Sequence, residues 1–180
     1  MNVIIYVLMI FILLCIFLMW YILTYNKYQS YIIRINEAEA NIDSTLRKRF
    51  DLLSKSTGII KTALDQEEIM PELEKLKNKK LTNFELDRKL LNFINEFHTI
   101  MEANPTLKEN EEVMKILVGL NESEIEISAL RKYYNDIITD YNKCVRSFPS
   151  NVIGKLSRYK IRVYFDGKNM EDEIVNDFKL

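Results

Sequence analysis

The stretch VIIYVLMIFILLCIFLMWYIL, Val3 to Leu23, carries no charged residue, and the amphipathic pattern that follows it meets no proline or glycine before Gly58. At ~1.5 Å rise per residue the uncharged run is ~32 Å long as a helix, enough to cross a hydrocarbon core of ~30 Å. A cleaved signal peptide needs a basic start, a shorter apolar core and small residues at the cleavage site. Here Met1 and Asn2 carry no side-chain charge, and Thr24, Tyr25 and Asn26 follow the run. The stretch therefore reads as a retained anchor in contact with the lipid bilayer. Leu13 and Leu14 precede Cys15 where an acylated cysteine would follow a small residue, so Cys15 reads as a small bilayer-facing hydrophobe.

Downstream of the anchor, Tyr28, Ile32, Ile35, Ile42, Leu46, Leu53, Ile60 and Leu64 are separated by threes, fours and their sums. That spacing predicts one helix running from the anchor to about Leu64. A second helix is expected from about Asn83 to Ala103, stopped by Asn104-Pro105, with Leu86, Leu90, Phe93, Ile94, Phe97 and Met101 on one face. A third is expected from Asn110 to Phe148, with Asn110 as N-cap and Pro149 as stop. Between the first two, Pro71 suits the first turn of a short helix, and Lys75, Lys77, Lys79 and Lys80 read as a solvated turn. After Pro149, a short helix around 152–156 precedes an extended alternation Tyr159, Ile161, Val163, Phe165 and a turn at Asp166-Gly167. The expected fold is all-α: a transmembrane helix (1–24) continuing into a long antiparallel bundle (25–165) of three long helices with shorter helical and extended elements, then an acidic tail (166–180).

Composition narrows the function classes. Twenty-five basic residues against 26 acidic ones give a net charge of −1, without the basic excess of a nucleic-acid binder. A single histidine, His98, and no Cys pair at ligand spacing leave no zinc set, and Gly58, Gly119, Gly154 and Gly167 are too scattered for a phosphate loop. No catalytic constellation, metal or cofactor is indicated, and an enzyme is not the expectation. Cys15 and Cys144 fall in different compartments, so no disulfide is expected between them. Lys27 and Arg34 after the anchor, with no opposing charge before it, favour a cytoplasmic C-terminal domain over an extracytoplasmic one.

The informative irregularities are charges on the apolar seam. Glu39 and Arg49 fall among Ile35, Ile42, Leu46 and Leu53, and Glu124 and Arg131 fall between Leu120, Ile127 and Tyr134. Each costs several kcal/mol of desolvation unless paired, on the order estimated for buried ions. With helices running up, down and up through short turns, Glu124 comes near the height of Arg49, and a pairing of Glu124 with a member of the Arg47, Lys48, Arg49 cluster, Arg49 foremost, is expected. Tyr134 and Tyr141 share a face seven residues apart, with Asn135 and Asn142 beside them, which suggests a polar network in the bundle. These charges specify helix register, or they form a ligand or partner site, which would need a cavity beside Arg131.

The pattern Glu124, Arg131, Tyr134-Asn135, Tyr141-Asn142 and Phe148-Pro149 resembles the LemA family of bacterial membrane proteins. Tyr25-Asn26, Leu46-Arg47-Lys48-Arg49 with Asp51-Leu52, Pro105 with Leu107-Lys108 and Asn110, and Tyr164-Phe165 add to the likeness. The chain departs from the family pattern at Asn104, where a tyrosine is usual, and at Lys48, where an arginine is usual. The resemblance implies one membrane helix and an antiparallel helical bundle, with no established catalytic activity. It leaves two expectations for function: a structural or interaction scaffold at the cell membrane with an unidentified protein partner, another membrane protein among the candidates, or a sensor that binds a ligand at the seam and transmits through the anchor helix. Oligomeric state is left open.

Overall fold

The computed structural model describes residues 2–66 and 68–168, so the acidic run Glu171 to Asp177 lies outside the described residues. Helix α1 spans Asn2–Leu64, α2 Pro71–Lys75, α3 Asn83–Ala103, α4 Glu111–Arg146 and α5 Ser150–Leu156, with 3-10 turns at Leu76–Asn78 and Pro105–Glu109. The fold is all-α, and no strand occurs among the described residues. The alternation from Tyr159 onward is extended but pairs with no strand there, and it turns at residues 165–167, where Gly167 takes φ 80°.

Local chemistry explains the helix ends. Asp65 takes a left-handed conformation (φ 51°) and the Gln66 amide donates to the Lys61 carbonyl at 3.3 Å, a bond that closes the last turn of α1. Thr82 and Glu85 form a reciprocal capping box at the start of α3. Asn110 Oδ1 accepts from the amides of Glu112 (2.9 Å) and Val113 (3.3 Å), which otherwise lack partners in the first turn of α4.

Two compact units make up the described chain. One contains Ala38–Tyr133 with Phe165–Gly167; the other contains 2–37 with Tyr134–Tyr164 and Lys168. In the first, the core is built from Ile42, Leu46, Leu53 and Ile60 of α1, Leu90 and Phe97 of α3, and Val113, Leu120 and Ile127 of α4.

The path through this unit corrects the expected up, down, up order. Met70 Sδ lies 3.8 Å from Thr57 Oγ1, and Lys77 Nζ sits 5.5 Å from the Phe50 ring centre, so the segment after α1 runs back along it. Along α4, Glu112 lies near Lys55, Gly119 against Leu52, and Glu124 at Arg49, so α4 runs antiparallel to α1. Helix α3 joins α4 through a short turn and therefore runs parallel to α1. The downward stroke is made by the segment read as a turn: its lysines are exposed, but Ile69, Met70, Leu73 and Leu76 are buried, covering apolar surface of α1.

In the second unit, α1 contributes the apolar run and Tyr28, and α4 runs antiparallel to it, with Tyr141 edge-on to both Tyr28 and Tyr31. Helix α5 lies against Tyr28. A Cβ placed on Gly154 would come within 2.7 Å of Tyr28 Oη, so glycine permits this approach. The N-terminal part of α1 is long and apolar enough to cross a membrane. Its most apolar window has a mean hydropathy of 3.1 and none of it is buried inside the protein.

Candidate functional site

The charged seam residues meet in the unit built from Ala38–Tyr133. Arg49 is fully buried, and its guanidinium reaches three partners: Nη1 donates to Asp87 Oδ1 at 2.8 Å, Nε to Ser123 Oγ at 3.1 Å, and Nη2 to Glu124 Oε2 at 2.9 Å and the Ser123 carbonyl at 3.1 Å. Arg131 Nη1 donates to the other Asp87 oxygen at 3.0 Å, and its Nη2 lies 3.6 Å from Glu124 Oε1. Two guanidiniums and two carboxylates thus alternate around a closed ring with no net formal charge.

Burial is uneven across the ring. Arg49 and Asp87 are shut off from water, whereas the Arg131 and Glu124 side chains retain 30% and 43% of their exposure. Burial pushes the Asp87 carboxyl above the ordinary carboxylate value; the Arg131 and Arg49 charges pull it back, and Glu124 adds to the upward push. An ion pair this deep balances a large desolvation cost against Coulomb attraction and hydrogen bonds.

The expected pairing of Arg49 with Glu124 is present, although the helix order that suggested it is not the observed one. Asp87 was not singled out from the sequence. Its signal lies in α3, where the buried positions Leu90, Ile94, Phe97 and Met101 alternate threes and fours, and three residues before Leu90 stands Asp87. Assigning Leu86 to that stripe hid it. Glu39 needs the opposite correction. It is exposed, and the seam position between Ile35 and Ile42 belongs to buried Ala38, one residue and about 100° around the helix away.

Tyr134, Asn135, Tyr141 and Asn142 belong to the other unit. Tyr134, Tyr141 and Asn142 are buried and Asn135 is partly so. Asn142 acts as a clamp: its Nδ2 donates to the Arg162 carbonyl at 2.8 Å and its Oδ1 accepts the Arg162 amide at 2.8 Å. The Tyr141 hydroxyl donates to the Lys160 carbonyl at 2.9 Å, and the Thr139 and Tyr164 hydroxyls are 3.1 Å apart. The side chains of α4 thus replace the missing strand partner for the extended segment from Tyr159 to Tyr164.

Tyr28 organises the same unit. Its hydroxyl donates to the Cys144 carbonyl at 2.8 Å, with the Ser150 carbonyl 3.1 Å away, and its ring centre lies 4.5 Å from that of Tyr159. Burial, with Cys144 beside it, pushes the phenol well above its ordinary value, so it stays a neutral donor. In the sequence pattern Tyr28 stands only as an apolar stripe residue. Periodicity places its ring but does not show what its hydroxyl meets.

The seam's hydrogen-bonding atoms are mainly spent on one another. That chemistry suits holding three helices together, with only Glu124 and Arg131 also reaching solvent. Among the described residues no group of three His, Cys, Asp or Glu side chains converges where a metal ion could sit.

A family model described as the LemA family matches residues 38–178. No curated protein matches the chain.

Proposed function

The chain belongs to the LemA family, and from that premise we propose that it is a membrane-anchored helical scaffold, held at the cell membrane by Val3 to Leu23 and offering its helical units to a protein partner in the cytoplasm. One observation carries the anchoring: an apolar stretch with a mean hydropathy of 3.1 stands entirely uncovered by the rest of the protein. In water such a surface would drive association, and a bilayer is the environment that removes the cost. Trp20, Tyr21 and Tyr25 at its end form the aromatic girdle expected at a membrane–water boundary.

The scaffold reading, with no catalysis of its own, draws support from the ion ring and the Asn142 clamp, whose polar atoms serve to fix helices and an extended segment. The alternative, a ligand sensor at the seam, is less well supported, because Arg49 and Asp87 have spent their hydrogen bonds internally. Two measurements test the proposal. The full chain expressed in a bacterial host should resist alkaline carbonate extraction from membranes, and a reporter fused after Leu180 should report the cytoplasm. Extraction into the supernatant would end the anchoring, and an extracytoplasmic signal would overturn the sidedness. Affinity capture from solubilised membranes should return one reproducible protein; a clean monomer would count against the scaffold.

A further inference from the structure

The end of the anchor shares a groove of about 450 Å³ with the far end of α4. Trp20, Thr24 and Lys27 of α1 line one side, and Lys143, Phe148 and Ser150 line the other. Asp140 also faces the groove, 3.7 Å from the Lys143 ammonium, and partly offsets that charge.

Phe148 is 82% exposed, far more than Tyr25 or Tyr133 at 38%. Val152 and Leu156, at 49% and 72%, follow in steps of four, while Ile153 and Gly154 are buried, so α5 continues the outward apolar face that Phe148 begins. Among the described residues none covers this face. Its position says what would: Phe148 lines the same groove as Trp20, the aromatic residue at the end of the uncovered apolar run. Lys27 follows Trp20 by seven residues, about 10 Å along the axis, which places its ammonium at the depth of lipid phosphates when Trp20 sits at the edge of the hydrocarbon. Exposed Lys155 and Arg158 add positive charge around the apolar face of α5.

We propose that Phe148 and the outer face of α5 seat in the interfacial layer of the bilayer, and that the groove takes the phosphate of an anionic phospholipid against Lys27 and Lys143. The seat rests on the membrane anchoring proposed above. It gives the unit containing Tyr28 and Tyr141 a second attachment to the lipid surface, apolar contact from Phe148, Val152 and Leu156 supplying depth and the lysines supplying preference for negative headgroups.

The test uses the full chain in vesicles, with Cys15→Ala and Cys144→Ala, and a bimane fluorophore attached through F148C, L13C or I33C. Leu13 reports the span and exposed Ile33 the water. Vesicles contain phosphatidylcholine alone or with phosphatidylglycerol, each doped with a lipid carrying a nitroxide either near the headgroup, to read position 148, or deep in the acyl chain, to read position 13, which lies about 15 Å from either end of the span. The fluorophore at 148 should be quenched by the nitroxide lipid and shielded from iodide, in contrast to that at 33. Phosphatidylglycerol should deepen the quenching, and K27Q with K143Q should abolish that increment. If position 148 behaves as position 33 while position 13 is quenched by lipid, the anchor stands and the seat is wrong. If position 13 also escapes lipid quenching, the anchoring and the seat fall together. Equal quenching at 148 in both vesicle types would overturn the phosphate site.

Discussion

Arg49 Nη1 donates to Asp87 Oδ1 across 2.8 Å, and neither side chain is reached by water. This bond joins α1 to α3, and the second oxygen of the same carboxylate joins α3 to Arg131 on α4. One aspartate therefore ties three helices at one level. Glu124, partly in solvent, closes the ring from outside.

The coupling energies should follow that difference in burial. Arg49→Met alone is expected to cost about 3–5 kcal/mol, the usual penalty for stranding a buried charge, while R49M combined with D87L recovers much of it. A cycle of R49M with E124M should give a coupling below about 1 kcal/mol, as for solvent-screened pairs. Urea denaturation of the full chain in micelles, followed by circular dichroism, measures both cycles. Equal couplings would contradict the assignment of Asp87 as the principal partner.

Three glycine substitutions should separate by sign. Gly154→Ala forces a methyl to within 2.7 Å of Tyr28 Oη and should destabilise by about 1–3 kcal/mol, as overpacking does. Gly119→Ala meets the end of the Leu52 side chain at 3.1 Å, and the cost of moving it offsets the helix-propensity gain, so the change should be near neutral. Gly58→Ala meets nothing within 4 Å and should stabilise α1 by roughly 0.5–1 kcal/mol through helix propensity. Melting temperatures rank the three, and a stabilised G154A would refute the close approach of α5 to Tyr28.

Asn142→Ala should release the extended segment. Both backbone groups of Arg162 lose their side-chain partner, at about 1–3 kcal/mol for polar groups left unmatched. Hydrogen exchange at the Arg162 amide should accelerate, and trypsin should cut more readily after Arg158, Lys160 and Arg162. Unchanged protection there would mean the clamp does not hold the segment.

The capping box on α3 predicts a pH dependence with a definite sign. Hydrogen bonds from the backbone and side chain of Thr82 hold the Glu85 carboxyl below its ordinary value. A carboxyl depressed in the folded state contributes stability above its unfolded pKa and loses it as pH falls through the folded value. The stability gap between wild type and Glu85→Gln should therefore be open at neutral pH and close on acidification past the ordinary carboxylate range. A gap that widens on acidification would reverse the assignment.

The helices were legible because amphipathic spacing and caps are local. Asn110 shows the start of α4, and the limits of α3 at Asn83 and Ala103 follow from its stripe and from Pro105. The charges Arg49, Glu124 and Arg131 stood out because an ion interrupts an apolar stripe. Asp87 escaped notice because it lies at the end of its stripe, beside a leucine that takes its place in the pattern. Glu39 misled because a stripe of threes and fours admits two neighbouring positions between Ile35 and Ile42, and only packing chooses Ala38.

The amino-acid order by itself determined that this protein has one uncharged apolar run, an all-helical body and a family pattern in its last long helix. Those properties depend on residues within a few turns of one another. Tertiary structure alone decided that residues 69–76 run back along α1, that α3 therefore rises beside it, and that one aspartate binds two arginines. It also decided that Asn142 supplies an extended segment with its missing partner. The physical reason is that periodicity shows which face of a helix is buried, while direction, level and partner depend on which distant surfaces exclude water together.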